Sequence, residues 1–243
     1  MRIESLSERG GALRSWLGRA APGSFWRLPL AVVAVLALAN LIWYSLEVFE
    51  AAGKFVPEIE EIATVLDDTL MSWPTLVLLG LTLICWLAGY IRLTRGLLYF
   101  GMVTATITLL VSMGILIYTL AYREGDVAGL IWDAALVWAA NVLVFACWYW
   151  TIDGEHARAR AAGAGVHFLF PQRGGEIAGY AGWQPRFADY LFLAFTTSTA
   201  FSPTDTAPLS RRAKLLMMIQ AGLSLIILAV LAARAINILK PAA

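Results

Sequence analysis

Long apolar runs separated by short polar segments set the pattern of this chain. Five of them, near Leu28–Leu46, Pro74–Ile91, Leu97–Ala121, Val127–Trp150 and Leu215–Ala233, are close to or above the ~20 apolar residues that a helix needs to cross roughly 30 Å of hydrocarbon. A sixth, Phe187–Phe201, has 15 residues and reaches only about 22 Å as a helix. It predicts a re-entrant helix rather than a crossing. Between the first two runs, Val56, Ile59, Ile62, Leu66 and Leu70 recur at three- and four-residue steps among Glu58, Glu60, Glu61, Asp67 and Asp68. That spacing predicts an amphipathic helix over the linker 50–73. An acidic rim at a pore mouth and a solvated interfacial face both fit it, and the solvated face is the usual role of such charges.

The remaining polar piece is Thr151–Arg186, rich in Gly, Ala and Arg and punctuated by Pro171 and Pro185. It reads as a loop rather than as a second domain. No repeat at a fixed period is present. The triplet Ala37-Leu38-Ala39 matches a cleavage signal, but the polar leader 1–27 ahead of the first run makes that run an anchor instead.

Composition sharpens this picture. Of 243 residues, 60% are hydrophobic and 14% charged, a balance that places the chain in a lipid bilayer as an all-α, multi-pass transmembrane protein. The formal net charge of +1 excludes the basic footprint of a nucleic-acid binder. Cys85 and Cys147 both lie inside apolar runs, which fits neither a disulfide framework nor a zinc site. No phosphate-binding loop, nucleophile elbow or paired metal-ligand motif occurs, so no enzyme activity, metal or cofactor is expected. His156, in an Asp153-Gly154-Glu155-His156 stretch, reads as polar surface, and His167, among apolar neighbours, as a packing residue.

Orientation follows Lys and Arg in short loops. With a re-entrant sixth run, one side receives the N-terminal arginines, Arg92, Arg95, Arg158, Arg160, Arg173, Arg186, Arg211, Arg212 and Lys214, fourteen of the eighteen cations. That side is expected to be the cytoplasm, which puts the N-terminus inside and the protein in the cell (inner) membrane. A crossing sixth run changes the count to thirteen against five, so charge alone does not separate the two topologies.

The stretch from Phe187 carries the candidate chemistry. Phe195-Thr196-Thr197-Ser198-Thr199, then Asp205, Pro208 and, in the following apolar helix, Gly222 resemble the pore module of tetrameric potassium channels, in which a pore helix, a filter and an inner helix follow the pattern FTTxTTVGYGDxxPxT. The resemblance covers residues 187–239. It implies a pore helix over 187–199, a filter-like loop over 200–205, an inner helix over 212–239 with Gly222 near its hinge, and a homotetramer around an axis that passes monovalent cations. Over the chain as a whole, the sequence also resembles a group of bacterial multi-pass membrane proteins.

The filter departs from the family. Where potassium channels read TVGYGD, this chain has Ala200, Phe201, Ser202, Pro203, Thr204 and Asp205, without glycine. Stacked backbone carbonyls that strip water from an ion need backbone angles that glycine permits and side chains oppose, and Pro203 fixes its own angle and extends Ser202. The expectation is therefore a weakly selective or non-selective cation path. Thr196, Thr197, Ser198 and Thr199 are candidates to line it or to cap helix carbonyls, Phe201 to form a dewetting ring, and Asp205 to form a ring of carboxylates or to anchor a turn. Arg234 either snorkels or lines the pore exit, and Asn40, Asn141 and Gln220 are expected to hydrogen-bond between helices. Asp133, near the start of its span, reads as a wet carboxylate at the interface. Two alternatives stay open: a non-conducting scaffold that retains the pore architecture, and a small-solute transporter, which would be expected to show internal repeats.

Overall fold

The computed structural model describes residues 73–122, 127–160, 166–174, 179–180, 183–199 and 205–239. Five helices account for nearly all of them: α1 (Trp73–Leu87), α2 (Ile91–Tyr122), α3 (Val127–Arg160), α4 (Phe187–Thr199) and α5 (Arg211–Leu239). Two-residue strands, β1 (Phe168–Leu169) and β2 (Ala207–Pro208), pair antiparallel, and a 3₁₀ turn spans Pro171–Gly174. Among the described residues, three helices are long and apolar enough to cross a membrane, over Arg92–Tyr118, Ile131–Asp153 and Arg211–Ala232. The expected span Leu28–Leu46 and the acidic linker ahead of Trp73 lie outside the described residues.

The run expected to continue to Ile91 stops at Leu87, which leaves α1 with 15 residues. Its end is a Schellman cap: the Tyr90 N–H donates to the Cys85 carbonyl at 2.9 Å and the Gly89 N–H to the Trp86 carbonyl at 3.1 Å. Such a cap needs a left-handed residue, and Gly89 supplies it at φ 80°. Hydropathy does not see this break, because glycine and its neighbours are as apolar as the helix they terminate.

α3 is the central helix. Of its span 50% is buried inside the chain's own fold, against 17% for the α5 span. Lipid tails are as apolar as leucine, so helices here associate through close packing and buried hydrogen bonds rather than through escape from water. On α2, Met102, Leu109 and Leu116 repeat every seven residues and face a core with Val137, Val144 and Phe145 of α3 and Ile227 of α5. Polar bonds fix the register. Trp148 Nε1 donates to Thr106 Oγ1 at 2.9 Å, and Asn141 Nδ2 donates to Ser224 Oγ at 2.8 Å. Asp133 is buried, at 6% exposure, not wet as its place near the interface suggested.

α3 also runs to Arg160, past the point where the sequence predicts a loop. Polarity after Trp150 marks the end of the apolar span, not of the helix: Glu155, Ala157, Arg158 and Arg160 are good helix formers and no proline intervenes. Beyond it, residues 166–174 fold back against this end of the bundle instead of standing free. Phe168 and Phe170, both buried, pack edge-to-face with Tyr149 and Tyr190 respectively, with ring centroids 5.1 and 5.3 Å apart.

Candidate functional site

α4 is a half-length helix wedged between α3 and α5. Its entry is capped from within: Asp189 accepts the Arg186 backbone N–H at 2.6 Å, the return half of a capping box, and its carboxylate lies at the positive end of the helix dipole. Tyr190, Leu193, Ala194, Thr197 and Ser198 are buried, the i, i+3, i+4, i+7, i+8 positions of one face. Phe192 and Phe195, 64% and 46% exposed, lie off that face.

Two polar clusters hold this helix at different depths. At its start, the Tyr190 hydroxyl donates to Asp153 near the end of the α3 span. Asp153 also accepts the His167 backbone N–H at 3.0 Å and the Arg173 guanidinium at 2.7 Å. Arg173 in turn donates to the Phe168 carbonyl at 3.0 Å and lies over the Phe170 ring. Deeper along the bundle, Gln220 of α5, fully buried, donates through Nε2 to the Ala194 carbonyl at 2.8 Å and to Ser198 Oγ at 2.7 Å. Its Oε1 accepts the Tyr149 hydroxyl of α3. One amide thus ties three helices together where α4 ends, and Phe195 packs edge-on to Trp138 of α3 at 5.7 Å.

These contacts give α4 a direction: antiparallel to α3 and alongside α5. After Thr199 the chain regains the end of the bundle from which it set out. Pro208 pairs with Phe168 and Ala207 with Leu169, and the Leu209 N–H donates to the His167 carbonyl at 2.8 Å. Ser210 then caps α5 by accepting the Ala213 N–H at 3.1 Å and meets His167 Nδ1.

Thr196, Thr197, Ser198 and Thr199 close the last turn of α4. The threonine hydroxyls donate to carbonyls of their own helix, Thr197 to Leu193 at 2.7 Å and Thr199 to Phe195 at 3.0 Å, with Thr196 shared between Phe192 and Leu193. Asp205 is exposed at the bend that leads into β2. Ala200, Phe201, Ser202, Pro203 and Thr204 lie outside the described residues. Gly222 sits within the unbroken α5, with nothing within 4 Å of where a Cβ would be; Arg234 is placed by its backbone in the same helix. Gln220 and Asn141 make the interhelical bonds expected of them, and His167 packs as expected.

Asp153, in a stretch whose sequence suggests polar surface, is fully buried, and nothing in the linear sequence marks Arg173, Tyr190 or Tyr149 as belonging with it or with Gln220. A carboxylate just past an apolar run looks like ordinary interfacial polarity, and its partners lie 20 and 37 residues away. A scan against protein-family models, a search of curated proteins and a search of solved structures each find no match to this chain.

Proposed function

We propose that this chain is the protomer of a potassium-channel-like membrane pore, a homotetramer in which α4 is a re-entrant pore helix, residues 200–205 form the constriction and α5 lines the path, with weak selectivity among monovalent cations. One observation carries the reading: a helix too short to span is held by polar bonds near both its ends, and its chain returns to the end of the bundle where it began. Non-helical backbone at membrane depth is tolerated only where it is buried in protein or lines water, and a shared axis provides the water. Farther along α5, exposed Leu225, Ile226 and Leu228 leave apolar surface for copies to share. A constriction without glycine argues against a row of dehydrating carbonyl sites, so selectivity falls to the exposed Asp205 carboxylates, four to a ring. The end that gathers Arg92, Arg173, Arg186, Arg211, Arg212 and Lys214 is assigned to the cytoplasm of a cell membrane by the excess of cations.

Flux of potassium and sodium from liposomes loaded with the purified protein tests this reading. Cation flux that loses its preference over chloride in Asp205→Asn is the expected result. No flux of any ion, or flux indifferent to Asp205, overturns it. Cysteines introduced at 160 and at the exposed position 207 are expected to be labelled from the same side of the bilayer, and labelling from opposite sides removes the re-entrant helix. A second reading, a non-conducting scaffold, draws on the threonine hydroxyls of α4 being engaged by their own helix. A sealed axis in a tetramer without flux favours it.

A further inference from the structure

A cavity of about 280 Å³ opens between α2, α3 and α5 and is lined by Tyr99, Trp148, Ile152, Leu215 and Leu216, with His167 and Arg212 at its polar part. We propose that it binds one anionic phospholipid, whose phosphate sits against Arg212 and whose acyl chain runs along α5. The inference rests on the membrane embedding of the three long helices and not on permeation.

Depth is the first argument. Tyr99 lies early in the α2 span, Ile152 at the end of the α3 span and Arg212 at the start of the α5 span, so the cavity opens at the boundary between headgroups and hydrocarbon. Tyr99 and Trp148, with ring centroids 6.2 Å apart, are the amphipathic aromatics that favour that level.

Charge is the second. Arg212 is exposed, and its side chain forms no hydrogen bond or ion pair among the described residues. Arg211 and Lys214 are exposed on the same turn, which carries no acidic residue. The buried carboxylate at this end, Asp153, is already engaged by Arg173, Tyr190 and the His167 N–H. The cavity therefore offers a cation to a phosphate and no carboxylate to the ammonium of a zwitterionic headgroup, the arrangement by which basic pockets between membrane helices select anionic lipids.

Shape is the third, and it separates a lipid from a soluble phosphate. Leu215 continues into Met218 and Ile219 at the i+3 and i+4 positions of the same face, and the three are 58%, 71% and 42% exposed. An apolar track thus leads from the cation down α5 toward the bilayer interior, where an acyl chain fits and a hydrated ion gains nothing.

Native mass spectrometry of the purified protein with phosphatidylglycerol or phosphatidylcholine of identical chains tests the site. One phosphatidylglycerol per protomer is the expected stoichiometry, with phosphatidylcholine bound more weakly. Arg212→Gln should lower phosphatidylglycerol binding about fivefold, the worth of one interfacial cation. Arg211→Gln, one residue away but outside the lining, should change it by less than about twofold. Leu215→Trp, which fills the cavity without altering charge, should also lower binding, and circular dichroism checks that each variant keeps its helix. Equal binding of the two lipids, equal losses in the two arginine variants, or displacement of the lipid by millimolar inorganic phosphate would each overturn the proposal; the first two indicate a diffuse basic surface and the last a phosphate site.

Discussion

Replacing Gln220 with leucine removes the amide that joins α3, α4 and α5 while keeping a side chain of similar bulk. Three hydrogen bonds disappear, from Nε2 to the Ala194 carbonyl, from Nε2 to Ser198 Oγ and from the Tyr149 hydroxyl to Oε1. Buried side-chain hydrogen bonds inside membranes average about 0.6 kcal/mol and reach about 1.7 kcal/mol, which brackets the loss between about 2 and 5 kcal/mol. The lower part of that range is favoured, because the freed Ser198 hydroxyl can turn back to the Ala194 carbonyl one helical turn earlier. The Tyr149 hydroxyl, fully buried, has the Thr197 side chain as a second hydrogen-bond partner, which recovers a further part of the loss. Reversible unfolding of the purified protein in mixed micelles, followed by circular dichroism, measures the loss. A cycle with Tyr149→Phe isolates one bond: the two single losses should exceed the double by about 0.6–1.7 kcal/mol. Gln220→Leu within about 0.5 kcal/mol of the parent, or strictly additive losses, would refute the clamp. The same variant in the liposome assay reports whether the clamp matters to flux, because α4 loses its deeper attachment while keeping its anchor at Asp153.

The other predictions concern single devices in the fold. Arg173→Met leaves the Asp153 carboxylate buried without its cation and should cost about 3–5 kcal/mol, with part of the loss recovered when Asp153→Asn is added; equal instability of single and double variants, read by thermal unfolding, would show that the pair contributes nothing specific. Gly89→Ala places a side chain at φ 80° and should cost about 1–2 kcal/mol by the same measurement, whereas an unchanged midpoint would mean that the Schellman cap is dispensable. Gly222→Ala has open space around its new methyl and should stabilise α5 by about 0.5–1 kcal/mol. Destabilisation there would reveal a neighbouring copy packed against that position.

Period and composition were enough to identify a helical membrane protein, because hydrocarbon demands long runs of apolar residues with their backbone bonds closed internally. The three long spans, the short sixth helix and the amides that bridge helices were all legible on that ground. Two kinds of feature were not. α1 ends at a glycine cap that hydropathy does not register, and α3 outlasts its apolar run because helix formation and membrane burial obey different rules past Trp150. The clusters around Asp153 and Gln220 were legible only in part. Gln220 announced itself as a polar residue inside an apolar run, but its partners Tyr149, Ala194 and Ser198 come from two other helices. Asp153 lay at a span end and gave no sign of meeting Arg173, Tyr190 and the His167 backbone. A linear pattern records which residues lipid accepts, one position at a time. Which buried donor meets which acceptor depends on the rotation and axial shift of each helix against its neighbours, and only the packed bundle decides those.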